Sequence, residues 1–178
     1  MLLLVNKTIA VTMLLALLLS VPLLQRAQAE PGLSAQTLKE LAQVRRATAR
    51  YHNVINALAD GYVDANFPAP GIGCHMINFG LVFDGEIDLE KPELLVYSDC
   101  SGSAIARGKS ELRAVEYSLV CSPDCSQVEM PEGFSGDHDA WEVFPGVPDA
   151  IPPQWTLHAW IWRHNPEGIF VKVNPSVD

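Results

Sequence analysis

Beyond residue 29, the sequence of 178 residues lacks any apolar run long enough to cross a membrane, since a spanning helix needs roughly 20 apolar residues. It also lacks the Gly-x-Ser-x-Gly motif of serine hydrolases, a glycine-rich phosphate loop and the His-Glu-x-x-His motif of zinc peptidases. No internal repeat is visible. These absences exclude the enzyme classes that such motifs define. The sequence contains no motif that indicates a particular reaction.

Basic residues are scarce, because 12 lysines and arginines stand against 21 aspartates and glutamates. Two of the twelve, Lys7 and Arg26, fall within the first 29 residues, which contain no acid. The remaining chain therefore has 10 basic and 21 acidic residues, a net charge of −11. Such a surface repels nucleic acid and anionic membranes. We therefore predict a metal ion or a small molecule as the ligand, and no nucleic-acid partner.

The first 29 residues have the pattern of an export signal. Lys7 precedes a long apolar stretch, and the small-x-small pattern Ala27-Gln28-Ala29 follows that stretch. The alternative is an uncleaved membrane anchor, but Ile9–Leu24 has only 16 residues, short of a full span. We predict a cleaved signal peptide at 1–29 and a single domain at 30–178. The mature chain is then periplasmic or secreted, with no stable membrane association.

Four cysteines lie beyond this signal, at Cys74, Cys100, Cys121 and Cys125. In an oxidising compartment an even number of cysteines predicts two disulfides, with three possible pairings. We favour Cys121–Cys125, which closes a tight turn, and Cys74–Cys100, which joins the start of a strand to a later loop. A zinc site made of the four cysteines is the weaker alternative, because no pair of Cys-x-x-Cys motifs is present.

The pattern of secondary structure predicts an α+β fold. Apolar residues recur at helical spacing over 34–60, with Ser34 as the N-cap and Gly61 at the C-terminal end. The β-rich part, 73–175, contains a long aromatic loop and five strand-like runs: the loop is 122–154, and the runs are 74–83, 93–97, 111–121, 155–163 and 169–173. One helix followed by strands predicts a helix on a curved antiparallel sheet or partial barrel, cystatin-like or cupin-like.

Polar residues on apolar strand faces mark the candidate site. His75 and His158 each share a predicted strand face with large apolar side chains, and Glu116 lies among small and apolar ones. The large neighbours on these faces are Ile77, Phe79, Leu81 and Phe83 for His75, and Trp160 and Trp162 for His158. Because a buried carboxylate is costly unless it is paired, we expect the three groups to meet in one core.

Two imidazoles and one or two carboxylates can ligate zinc, iron, manganese or copper. The candidate ligands are His75 and His158, with Glu116 third and Glu93 fourth. The alternative is a buried His–Glu hydrogen-bonded pair that orders the core and binds nothing.

Several short elements resemble those of a group of small exported bacterial proteins that lack an assigned biochemical role. They span most of residues 71–175 and comprise Gly73-Cys74-His75-Met76-Ile77-Asn78, Pro92-Glu93-Leu94-Leu95-Val96-Tyr97, Val115-Glu116-Tyr117, Leu157-His158-Ala159-Trp160-Ile161-Trp162 and Asn165-Pro166-Glu167-Gly168. The resemblance implies one globular module in which the two histidines and Glu116 recur as a set. It implies no known activity.

Taken together, the sequence predicts an exported small protein that binds a metal ion or small ligand through a buried His/Glu site. A metal-dependent hydrolase or oxygenase is the alternative, because a metal with an open coordination position can activate water. A secreted scaffold that binds another protein through acidic loops is the third hypothesis.

Overall fold

The computed structural model describes residues 32–136 and 138–177, and for residues 66–68 it describes the backbone alone. The predicted signal peptide lies outside the described residues. No helix in the described ranges has both the length and the apolar character needed to cross a membrane.

The helices are short, and most of them lie in the first half of the described chain. They are α1 (Ala35–Thr48), α2 (Val54–Ala59), α3 (Phe79–Val82) and α4 (Gly102–Ala106), with a 3₁₀ turn at Ala49–His52. Ser34 caps α1 as predicted, since its hydroxyl accepts a hydrogen bond of 3.0 Å from the backbone N–H of Thr37.

The prediction of one continuous helix over 34–60 is wrong, because the helix breaks between α1 and α2. Thr48 turns its hydroxyl back to the carbonyl of Val44 at 2.8 Å, a contact that competes with regular helix geometry. Asn53 then takes an extended conformation and caps α2 by accepting a hydrogen bond from the N–H of Ile55. An asparagine that caps a new helix therefore interrupts a pattern whose apolar spacing is continuous.

Six strands form one antiparallel sheet in the order β1-β2-β3-β4-β6-β5. They are β1 (Val63–Ala69), β2 (Gly73–Ile77), β3 (Leu94–Tyr97), β4 (Leu112–Val120), β5 (Glu142–Phe144) and β6 (Gln154–Ala159). The sheet is open, with β1 and β5 at its edges. The α+β class predicted from the sequence is confirmed.

One face of the sheet forms the main apolar core. Met76, Leu95, Val115 and Ala159 pair in one row across the four central strands, and all four are fully buried. They share a core cluster with Leu41 of α1. Successive residues of a strand point to opposite faces, and the polar residues of interest lie on the other face.

Two of the predicted strands end several residues earlier than the sequence indicates. The run 74–83 ends at Ile77, because the side chain of Asn78 accepts hydrogen bonds from Gly80 and Leu81 and thereby caps α3. The run 155–163 ends at Ala159, after which the chain turns.

Residues 169–173, predicted as a strand, are irregular. Side-chain amides of two asparagines, instead of a neighbouring strand, donate hydrogen bonds to backbone carbonyls in this region. Asn165 donates to the carbonyls of Val171 and Val173 at 3.0 Å each. Asn174 donates to the carbonyl of His164 at 3.0 Å, and both asparagines are buried.

The structure also contains elements that the sequence patterns did not predict. They are β1, the helix α4, and β5, which lies inside the segment predicted as a long loop over 122–154. The helix α4 and the strand β5 are short, with five and three residues, and in β1 Pro68 ends an alternation of apolar and polar residues over 63–67.

Both predicted disulfides are formed. Cys74–Cys100 links β2 to the segment before α4, with a Cα–Cα distance of 5.9 Å, and Cys121–Cys125 closes a turn after β4 at 4.9 Å. The two bonds differ in the number of residues they enclose, since the sequence separations are 26 and 4.

The longer disulfide should contribute more to stability. On loop entropy alone, replacing Cys74 and Cys100 by alanine should lower the free energy of unfolding by about 3.5 kcal/mol, against about 2 kcal/mol for the pair Cys121 and Cys125. Urea denaturation of the two double variants under one set of conditions measures both losses. Equal losses, or a larger loss for the short loop, would contradict the expectation.

Candidate metal centre

Three strands bring His75, Glu116 and His158 together, as the sequence predicted. Glu116 of β4 is the direct cross-strand partner of His158 of β6. His75 of β2 is separated from Glu116 by β3. Since neighbouring strands lie about 4.8 Å apart, the side chains of His75 and Glu116 meet by reaching over β3.

The three side chains converge on one carboxylate oxygen. Nε2 of His75 lies 3.2 Å from Oε2 of Glu116, and Nε2 of His158 lies 3.4 Å from the same oxygen. A tetrahedral ion with bonds of about 2.0–2.2 Å separates its ligand atoms by about 3.3–3.6 Å. One ligand atom from each residue lies within 4.8 Å of the other two. The group can therefore hold a metal ion with only small movements of its side chains.

The group is buried. His75, Glu116 and His158 are 6%, 7% and 3% exposed. Nε2 of His158 lies 3.4 Å from Oε2 of Glu116 but makes no hydrogen bond with any described residue. A buried polar atom without a partner is uncommon in folded proteins. This nitrogen is therefore available to coordinate a ligand.

The charge states of the group suit a metal. Burial would raise the pKa of Glu116, but the attraction of His158, the hydrogen bond from His75 and the charge of Lys172 hold it well below its usual value. Burial lowers the pKa of His158, and this outweighs the attraction of Glu116. At neutral pH His158 is therefore a neutral imidazole and its attraction for Glu116 is lost, while the hydrogen bond from His75 and the charge of Lys172 keep Glu116 a carboxylate. These are the forms that bind metals.

Further polar residues extend the site along β4 and β6. Ser118 lies two residues after Glu116 on β4, and its cross-strand partner Thr156 lies two residues before His158 on β6. The hydroxyl of Ser118 donates to the side chain of Gln154, and all three residues are buried. A polar row thus continues from His75, Glu116 and His158 toward the start of β6.

An ion pair lies beside this row. Nζ of Lys172 is 3.3 Å from Oε2 of Glu142, and Glu142 is the β5 partner of Thr156. The charge of Lys172 influences both Glu116 and His158, and that of Glu142 influences His158. Sequence reasoning missed this pair, because Glu142 lies on a strand of three residues and Lys172 lies in an irregular segment.

Glu93, the fourth ligand candidate, lies outside the group. Its carboxylate accepts a hydrogen bond of 3.0 Å from the backbone N–H of Ser118, and the residue is 1% exposed. Burial raises its pKa to about 8, so the side chain is protonated at neutral pH. Among the described residues, the group that could hold a metal ion comprises the other three.

The chain was compared with protein-family models, with curated proteins and with solved structures, and none of the three comparisons gave a match. The cystatin-like or cupin-like description of the sheet therefore stays a prediction.

The buried carboxyl of Glu93 should make stability depend on pH. Folded Glu93 keeps its proton up to about pH 8, whereas the unfolded chain releases it near 4.5. Because the folded state binds more protons in this range, the free energy of unfolding should fall between about pH 4.5 and about pH 8, relative to Glu93→Gln. Urea denaturation across this range measures the difference.

The exposed Glu90 provides the matched control. Glu90→Gln should keep the wild-type pH profile. If the profiles of wild type and Glu93→Gln ran parallel, Glu93 would not be the titrating group.

Proposed function

We propose that the chain binds one divalent transition-metal ion through His75, Glu116 and His158. The observation that supports this most directly is the buried Nε2 of His158, which lies 3.4 Å from a carboxylate oxygen and makes no hydrogen bond. A metal placed between the three groups would engage this atom and both of its neighbours.

The alternative is a structural cluster in which a His–Glu pair orders the core. Such a pair accounts for His75 and Glu116, which already interact. It leaves His158 unexplained, since a buried polar atom without a partner costs about 1–3 kcal/mol. Leucine at that position would avoid this cost. The metal hypothesis explains all three residues, whereas the structural hypothesis explains two.

The donor set limits the choice of metal. Two imidazole nitrogens and one carboxylate oxygen suit zinc, iron, copper and manganese, and the imidazoles favour the first three over manganese. No cysteine thiolate is available, because both cysteine pairs are oxidised to disulfides. Zinc and iron(II) are common in sets of two histidines and one carboxylate, so they are the first metals to test.

A metal-dependent enzyme is the second candidate function. Three protein ligands leave a coordination position at which a hydrolase or oxygenase would hold water or oxygen. The burial of all three ligands favours a binding or storage role over turnover of a bulky substrate.

We further propose that the protein works outside the cytoplasm, in the periplasm or after secretion. The signal-like pattern of residues 1–29 supports this proposal, and the two disulfides agree with an oxidising compartment. The resemblance to small exported bacterial proteins points the same way. A secreted scaffold that binds another protein fits these observations equally well but leaves the metal group without a role.

The purified protein should contain close to one equivalent of metal. Elemental analysis should use protein that has been produced by export, without a histidine tag and without chelator. The double variant His75→Ala/His158→Ala should lose that metal, because a lone carboxylate binds a transition metal weakly.

The control removes two histidines that lie outside the group. His138 and His164 are exposed, so His138→Ala/His164→Ala should keep the full metal content. If the wild type carries no metal and takes up none of the four candidate metals, the proposal is wrong, and the three residues are structural.

The ion pair beside the site should tune metal affinity. Removing the positive charge with Lys172→Met should tighten binding by about threefold to tenfold, because that charge repels a divalent cation. Glu142→Gln should weaken binding by a similar factor. Competition titration against a chromogenic chelator measures both changes.

Lys109→Met, at an exposed lysine elsewhere, should leave metal affinity unchanged. If Lys172→Met and Lys109→Met had the same metal affinity, the ion pair would have no electrostatic role at the site.

A further inference from the structure

Two phenylalanines at α3 are unusually exposed. Phe79 and Phe83 are 52% and 61% exposed, and their rings stack with a centroid distance of 6.3 Å and an interplanar angle of 11°. Single exposed apolar residues are normal, but adjacent exposed aromatic rings are typical of interaction sites. The pair belongs to neither of the two buried core clusters.

More exposed apolar residues lie in the elements next to α3. Val63 begins β1 and pairs with Ile77, just before α3. The side chain of Asn78 donates to the carbonyl of Asp60 at 3.1 Å and so joins the start of α3 to the end of α2. Val63 is 46% exposed, and α2 adds two further exposed apolar residues, Ile55 and Leu58. Three elements thus present apolar side chains near one junction.

The chain around the phenylalanines is acidic. Residues 60–90 contain six aspartates and glutamates and no lysine or arginine. Asp84 directly follows Phe83, and its side chain accepts a hydrogen bond from the N–H of Glu86, so one turn presents both exposed carboxylates. Lys91, the next basic residue, is paired with Asp88 at 2.8 Å. Asp60 is likewise paired, with Arg50 at 3.1 Å, so the exposed carboxylates of Asp84 and Glu86 carry the negative charge beside the aromatic pair.

The negative charges determine which class of partner can bind this apolar surface. An anionic membrane would be repelled by the acidic border. A second copy of this chain would bring the same carboxylates against each other, which is also unfavourable. A cationic partner gains from both features, since arginine and lysine pair with carboxylates and also stack on aromatic rings.

We propose that the acidic aromatic surface, formed by Phe79, Phe83, Asp84 and Glu86, binds a cationic and partly apolar peptide segment of a partner protein. Arginine side chains of that segment stack on the two rings and pair with the two carboxylates, and its apolar side chains cover the neighbouring exposed residues. The inference shares no residue with the metal centre and does not depend on a bound metal.

The test measures fluorescence anisotropy with a fluorescein-labelled peptide of alternating arginine and leucine, at physiological ionic strength. Wild-type protein should bind this peptide and should not bind a peptide in which glutamate replaces arginine. The variants Phe79→Ser/Phe83→Ser and Asp84→Lys/Glu86→Lys should each weaken binding by about tenfold or more. All four side chains are exposed, so circular dichroism should show an unchanged fold.

Two control variants separate this surface from the general acidity of the protein. Met130→Ser/Val143→Ser removes two similarly exposed apolar residues elsewhere, and Glu129→Lys/Glu132→Lys reverses two other exposed acids. Both controls should bind within about twofold of wild type.

Three results would overturn the proposal. The first is an absence of peptide binding by wild type. The second is equal weakening by the surface variants and the control variants, which would indicate general charge attraction. The third is binding to anionic vesicles, or self-association, that Phe79→Ser/Phe83→Ser abolishes, because the surface would then serve a membrane or a second copy of the chain.

Discussion

The candidate site depends on the register of β4 against β6, which places Glu116 directly opposite His158. Side chains alternate between the faces of a sheet, so a slip of one residue would send one of the two to the opposite face. The opposite face is filled by the buried row Met76, Leu95, Val115 and Ala159, which fixes the register through packing. The apolar core on one side of the sheet thereby holds the polar group on the other.

Burial of that polar group has an energetic consequence. A carboxylate and two imidazoles removed from water are destabilising unless each polar atom finds a partner. The hydrogen bond from His75 and the nearby charge of Lys172 favour the ionised form of Glu116, but Nε2 of His158 stays without a hydrogen bond. A divalent cation would resolve this remaining cost, because it binds the carboxylate and both nitrogens at once. The same burial restricts access, which favours retention of an ion over turnover of a substrate.

The sequence identified His75, Glu116 and His158 because each is polar at a position where a strand otherwise buries apolar residues. Some of the apolar neighbours predicted to share these strand faces lie elsewhere, since Phe79 begins α3, Phe83 caps the C-terminal end of α3 and Trp160 follows the end of β6. The three polar residues were nevertheless identified correctly as neighbours, because each lies inside an observed strand and the alternation of side chains between the two faces is a local property of a strand. Glu142 and Lys172 could not be assigned to the site from the sequence, because their segments have no hydrophobic period. The sequence did not predict the break between α1 and α2, because Asn53 caps the second helix without changing the spacing of the apolar residues.

The most direct test of the metal centre is the anomalous diffraction of zinc in crystals of the protein grown with that metal. The account predicts one anomalous peak about 2.0–2.2 Å from Nε2 of His75, Nε2 of His158 and a carboxylate oxygen of Glu116. It also predicts that this peak disappears from crystals of His75→Ala/His158→Ala. A map without a peak at this position, or with zinc bound only at surface carboxylates, would contradict the account and leave the three residues as a structural cluster.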